Sequence, residues 1–291
     1  MLRVLRNNAV LSTIWLVVLI AVVAACQKAP ITGRNQIILI SAAEEIEMGL
    51  LTFKEIIKNE KISDSPEYNG AMDRVVFRIA KVSHQPDFDW EYKVIDNDET
   101  INAFALPGGK VVVYTGILEI AESDSGLATV IGHEVAHATA HHGAERISAG
   151  ILAQLGAVGL NLALLDSDPK VLAAVNAAYG VGVTVGAILP FSRTQEAEAD
   201  RIGLIYMAKA GYHPSEAIGF WDRMHEATKG EPKPPDFLST HPGYKTRRAN
   251  LKKWQPEALW HYNKAQKAPN KTFYSNREMG LEDFMLSEVT H

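Results

Sequence analysis

Residues 132 to 142 read GHEVAHATAHH, with four histidines and one glutamate in eleven positions. No other stretch restricts the chain as much, because its chemistry works only on a helix. His133 and His137 are four residues apart, so on an α-helix they share one face about one turn from each other. Two imidazoles in that relation can bind a single zinc at about 2.0–2.1 Å each. Glu134 lies about 100° further round the helix, where it reaches a water at the metal without being a ligand. That spacing supplies two ligands and one general base. Gly132 permits close packing, and Val135, Ala136 and Ala138 give an apolar back face. His141 is about 12 Å from His133 along the helix axis, too far to share one ion, and His142 points about 180° away. These two are expected to form a polar face or a helix-end feature.

A catalytic zinc needs a third protein ligand and an open position. A metzincin would place glycine at 140 and histidine at 143, but the sequence has Ala140 and Gly143. The alternative is a glutamate on a later helix. The stretch FSRTQEAEADRIG offers Glu196, with Asp200 four residues on and therefore on the same face. In that arrangement Glu196 binds the metal. Asp200 accepts a hydrogen bond from the far nitrogen of a ligand histidine and fixes its tautomer. Glu198 lies about 160° away by helical geometry and is expected to point elsewhere.

The remaining sequence must support this site. The chain has 291 residues, 47% apolar and 22% charged, with a net charge of −5. That is globular composition, and the absence of a basic run argues against nucleic acid as a partner. Residues 1–25 read as a signal peptide: Arg3 and Arg6, then the apolar run LSTIWLVVLIAVVAA, then Cys26. The end VVAAC resembles the bacterial lipobox, in which the cysteine is acylated after cleavage before it. Cys26 is the single cysteine, which excludes internal disulfides. With Gln27 following, the pattern resembles outer-membrane sorting and implies a lipid-anchored protein of the bacterial envelope facing the periplasm.

Residues 26–40 are expected to form an extended arm, 41–261 one protease domain and 262–291 a polar, loosely packed tail. Ser41 and Glu44 form a capping box that opens a helix to about Glu60. Ser65-Pro66 starts a second helix with Met72, Val75, Val76, Ile79 and Val82 as its apolar stripe. FDWEYKVID alternates as a strand, and INAFALPGGKVVVYTG reads as two strands around a Pro-Gly-Gly turn. Asp124 is expected to cap the histidine helix. Asp168 with Pro169, Ser192 with Gln195, Pro214 and Pro242 are expected to open later helices. The fold class is α+β, mostly helical, with a small sheet next to the histidine helix.

The order of motifs is more specific than any one of them. The histidine-glutamate motif, then FSRTQEAEAD, then STHPGYKTR, resembles the zinc metalloprotease family that includes HtpX, the CAAX prenyl proteases and the periplasmic proteases BepA and LoiP. PITGRNQIILIS and NAFALPGGKVVVYTGIL match as well, so the resemblance covers residues 30 to 255. It implies a zincin-type metalloprotease domain of the gluzincin kind with one zinc per chain. His133, His137 and Glu196 would be the ligands, Glu134 the catalytic base and Asp200 the orienting carboxylate. It assigns His241 as a gate or transition-state residue, with the start of a helix as the competing reading. Arg193 is read as a structural pair rather than an oxyanion partner.

The implied reaction is peptide-bond hydrolysis. The strand near Asn102, Ala103 and Phe104 is expected to lie over the site and pair with extended substrate through main-chain hydrogen bonds. That mode suits unfolded or misassembled envelope proteins. Segments 148–165 and 170–189 are apolar and rich in small residues, and they are read as helices packed on the active-site domain rather than as membrane spans. A second function class is a chaperone or assembly factor for outer-membrane proteins with a plugged zinc site. The chain shows no repeat of about 34 residues of the TPR kind, which favours the protease.

Overall fold

The computed structural model describes residues 25–165, 167–184, 189–230 and 233–273. The expected signal peptide up to residue 24 and the tail from 274 onward lie outside them. Two compact units emerge, one formed by Ile46–Ala140 with Ser192–His291, the other by Met1–Glu45 with His141–Phe191.

The larger unit carries a three-stranded sheet and most of the helices. Helix α1 (Ala42–Asn59) begins at the expected capping box, where Ser41 and Glu44 exchange hydrogen bonds, and its later turns belong to this unit. Helix α2 (Pro66–Val82) is capped by Ser65, which accepts from the Tyr68 amide. Met72, Val75, Val76 and Ile79 are all buried on its inner stripe, as the periodicity requires. The sheet is ordered β3 (Glu91–Ile95), β5 (Lys110–Tyr114), β4 (Ala103–Leu106), the numbering following β1 (Cys26–Lys28) and β2 (Asn35–Ile37) of the other unit. β3 runs parallel to β5 and β4 antiparallel to it, so β4 is an edge strand among the described residues. The β4–β5 turn uses Gly108 and Gly109, both left-handed at φ +81° and +90°, a conformation other residues adopt only under strain. Phe53 of α1 packs with Ile95 and Val112 against the sheet.

Helices α3 (Thr115–Ala121) and α4 (Asp124–Thr139) follow. Ser123, not Asp124, caps α4, accepting from the Gly126 amide. Asp124 sits one residue inside, fully buried, because Arg74 grips it with two hydrogen bonds of 2.8 and 2.7 Å. Helix α7 (Leu189–Lys209) begins before the expected Ser192. Helix α8 (Glu216–Ala227), the short α9 (Asp236–Thr240) and α10 (Tyr244–Lys264) complete the unit. The tail is held better than its polarity implied. The Asp124 amide donates to Lys271 O at 2.9 Å, Asn270 accepts from the Ser125 amide, and Phe273 is buried.

The smaller unit pairs β1 (Cys26–Lys28) with β2 (Asn35–Ile37) and adds α5 (His142–Ala163) and α6 (Pro169–Val183). Glu145, near the start of α5, accepts two bonds from Arg34 at 2.6 and 2.7 Å and one from Gln36 at 3.0 Å. The Leu39 amide donates to Ser148 at 2.8 Å. His141 adopts a left-handed conformation at the N-cap of α5 and contacts Glu45 at 2.7 Å, so it is a helix-end feature as expected. The burial expected of helices packed on a domain is missing from α6, which has no buried residue.

Candidate metal centre

Three separate segments build the site, all in the larger unit. The first is α4, buried on every one of its residues. The second is α7, which crosses α4 at Gly132 and Gly203. A Cβ on Gly203 would lie 2.6 Å from Gly132 C and 2.7 Å from the His133 nitrogen, so the two backbones touch beside the first histidine. That contact sets His133 and His137 opposite Glu196 and Asp200. The third is the turn between α9 and α10, which supplies His241 and, in the first turn of α10, Arg247.

One donor atom from each of His133, His137, Glu196 and His241 fits within a spread of 4.8 Å. His133 Nε2 and His137 Nε2 are 3.1 Å apart, and His133 Nε2 lies 3.2 Å from His241 Nδ1. Glu196 reaches His133 at 3.4 Å, His137 at 3.3 Å and His241 at 2.8 Å. Four ligands at about 2.0–2.1 Å in a tetrahedron stand about 3.3 Å from one another, so these separations fit one such ion.

The electrostatics agree with the geometry. Burial opposes charge on His133, but the close carboxylates of Asp200 and Glu196 outweigh it and push its pKa up to about 9. Burial alone would raise the Glu196 carboxyl, yet His133, His137 and His241 together hold it far below the carboxylate range. The pocket therefore favours positive charge at its centre, which a divalent cation supplies. Two imidazoles facing each other nitrogen to nitrogen, with a carboxylate beside them, form a donor set that suits zinc.

The residues around the donors are arranged for orientation. His133 Nδ1 lies 3.0 Å from Asp200, without the alignment of a full hydrogen bond. Arg247 donates to Asp200 at 2.8 Å and to Glu196 at 2.7 Å, and its guanidinium lies 4.0 Å from the centre of the Trp221 ring. Arg247 is buried, so it neutralises the second negative charge that two buried carboxylates would otherwise leave. Glu134 is buried beside the donors. Desolvation raises its pKa first of all, and the neighbouring His241 and His133 pull it back. The Ala105 amide of β4 donates to this carboxylate, while Oε1 makes no hydrogen bond and lies 3.5 Å from His241 Nε2. A cleft of about 180 Å³ opens between Arg193, Glu196, Asp200, Pro242 and Arg247. A larger cavity of about 470 Å³ lies elsewhere, near Arg78 and Lys209, and contains none of the donors.

The structure thus brings His133, Glu134, His137, Glu196, Asp200 and His241 together, and it places β4 against Glu134. Glu198 is buried but outside the donor group. The structural pair expected of Arg193 does not form among the described residues; this side chain is exposed at the rim of the cleft. Arg247 and Ala105 were not foreseen. Arg247 sits six residues after His241, in the stretch quoted for the resemblance, but nothing in its spacing says that it faces two carboxylates. The amide of Ala105 is invisible to side-chain reasoning.

A mostly helical fold with a small sheet beside a helix that carries two histidines and a glutamate defines a zincin-type metallopeptidase domain. The sequence profile of Peptidase family M48 matches residues 66–255, and the chain belongs to that family. It is 38% identical over 232 residues to the mitochondrial metalloendopeptidase OMA1 of Schizosaccharomyces pombe, covering 79% of this chain and 66% of that protein. It is 40% identical over 234 residues to the mitochondrial metalloendopeptidase OMA1 of Arabidopsis thaliana, covering 77% and 45%. It is 27% identical over 217 residues to the beta-barrel assembly-enhancing protease of Escherichia coli, covering 73% and 44%. The chain therefore spans between less than half and about two thirds of these relatives. The relatives include bacterial proteases of the kind the motifs resemble, and also mitochondrial ones, which the sequence reading did not name.

Proposed function

We propose that this chain is a membrane-anchored zinc metalloendopeptidase that hydrolyses peptide bonds in unfolded or misassembled envelope proteins. The observation that carries the reading is the convergence of His133, His137 and Glu196 beside a buried Glu134. When bound, zinc lowers the pKa of water at the site and polarises the scissile carbonyl. Glu134 takes the proton of the attacking water at Oε1 and passes it to the leaving amine. The Ala105 amide holds Glu134 in place for both transfers. Asp200 and Arg247 fix the orientation of His133 and Glu196. Edge strand β4 offers the main chain of Ala103 and Phe104 to an extended polypeptide, while Asn102 just before it already accepts from the Tyr114 amide at 3.0 Å.

The place of action is the bacterial cell envelope, with a lipid on Cys26 holding the protein to the outer membrane on its periplasmic side. Cys26 is exposed at the start of β1, where it is accessible to modification. Labelled palmitate incorporated into wild type and absent from Cys26→Ala supports this placement; equal labelling removes it.

A second reading rests on His241. Its Nδ1 lies in the donor group, 2.8 Å from Glu196, so it supplies a fourth ligand where an open position is needed for catalysis. In that state the centre is closed, and the protein acts as an assembly factor until His241 swings away. The name of the Escherichia coli relative, beta-barrel assembly-enhancing protease, joins assembly to proteolysis and accords with such a dual role.

The test is chelator-sensitive casein cleavage by the purified full chain, with Glu134→Gln beside wild type. The variant keeps its zinc and loses cleavage. Cleavage at the wild-type rate by Glu134→Gln removes the proposed mechanism.

A further inference from the structure

We propose that the hairpin α5–α6 buries its outer faces in the hydrocarbon of a lipid bilayer. This rests on the membrane-anchored reading above and adds a second point of insertion to it. Residues 147–165 and 171–192 contain no Asp, Glu, Lys or Arg. In the sequence the flanking charges are Glu145 and Arg146 before the first stretch and Asp166, Asp168 and Lys170 between the two. Helix α5 spans His142–Ala163, and its uncharged part, residues 147–163, is about 26 Å long at 1.5 Å per residue, against a hydrocarbon layer of about 30 Å.

Its surface is apolar where a water-facing helix would be charged. Leu155 is 61% exposed, Leu162 62% and Leu165 71%; Val158 on the same stripe and Val181 on α6 are similarly open. A continuous apolar surface of this kind marks a contact with something apolar. The polar groups turn inward instead. Asn161 and Asn176 exchange amide hydrogen bonds at 3.2 and 2.9 Å, the Tyr179 hydroxyl donates to Ala153 O at 3.0 Å, and Thr184 donates to Gly180 O at 2.8 Å. Gly156 leaves room for Tyr179, since a Cβ there would lie 2.2 Å from its hydroxyl. Internal pairing across small residues is what helices need when no water is present to satisfy them. Gln154 is the one exposed side-chain amide of α5.

The choice of a bilayer over a protein partner comes from the preceding chain. In the anchored reading the lipid sits on Cys26, the first residue of β1, after removal of the apolar run 11–25. The β1–β2 pair and the residues after it are fastened to the base of α5, through Arg34 and Gln36 on Glu145 and through Leu39 on Ser148. The segment that reaches the membrane is therefore clamped to the base of the hairpin.

The test uses the full chain with Cys26→Ser, which retains the apolar run, and one new cysteine in each variant: Leu155→Cys, Leu162→Cys or Val181→Cys. Leu51→Cys, at a position 59% exposed on α1, is the control. Each cysteine carries an environment-sensitive nitrobenzoxadiazole label, and the proteins are reconstituted into phosphatidylcholine vesicles with or without brominated acyl chains. The proposal expects several-fold stronger bromolipid quenching at 155, 162 and 181 than at 51. Quenching no greater than at 51, in protein that still floats with the vesicles, overturns the hairpin's insertion and leaves the anchor standing. Protein that does not float removes the anchored reading and the proposal together. Unquenched labels that cross-link between copies assign the surface to a second chain and also overturn it.

Discussion

Helices α4 and α6 are made of similar material and end in opposite environments. Both are rich in alanine, glycine and valine and poor in charge. Every residue of α4 is buried, and none of α6 is. The difference lies in what the polar groups do. In α4, Asp124 is gripped by Arg74, and His133 and Glu134 face partners from α7, β4 and the turn before α10. In α6, Asn176 and Tyr179 are satisfied by α5 alone. Apolar composition therefore permits burial without ensuring it. A helix is locked into a core when other segments supply partners for its polar side chains.

The comparison can be broken where α4 is tightest. Gly203→Val places side-chain carbon against the backbone of Gly132 and His133, and is expected to cost about 3 kcal/mol or more and to strip the metal. Thermal melts and zinc content read it; unchanged values mean that the close crossing does not hold the site. The orienting carboxylate comes next. Asp200→Asn is expected to weaken zinc binding about 10- to 100-fold while the fold survives, measured by competition with a chelator. Wild-type affinity in that variant would reduce Asp200 to a structural partner of Arg247. Releasing the fourth donor has the opposite sign. If the open state is populated at about 10%, His241→Ala raises casein cleavage by about 10-fold with zinc retained. A fall in cleavage instead makes His241 a residue that contacts the reacting peptide. The smallest effect belongs to the exposed hairpin: Leu162→Ser is expected to change stability in detergent by less than about 0.5 kcal/mol. A larger loss would show that this surface is packed against protein.

The sequence made the donor set legible because helical geometry places residues four apart on one face. That rule gave His133 with His137, and it gave Glu196 with Asp200. The same rule set Glu198 aside as pointing elsewhere, but it could not assign the role of His241, whose position depends on a turn. Capping was legible where side chain and periodicity agreed, as at Ser41, Ser65 and Asp168. It was missed at α4, where Ser123 and Asp124 are both good caps and the pull of Arg74 decided between them. The packing of residues 270–273 was hidden because main-chain contacts hold the segment, and polar composition says nothing about these.

The central claim is the proposal that two segments distant in sequence, α4 and α7, together hold one zinc. The most direct measurement is the zinc content of wild type and Glu196→Ala, purified side by side and read by elemental analysis. The account predicts about one zinc per chain in wild type and far less in the variant, with the fold retained by circular dichroism. Equal zinc in the two proteins would contradict it, because the histidine helix would then bind metal without the carboxylate from α7.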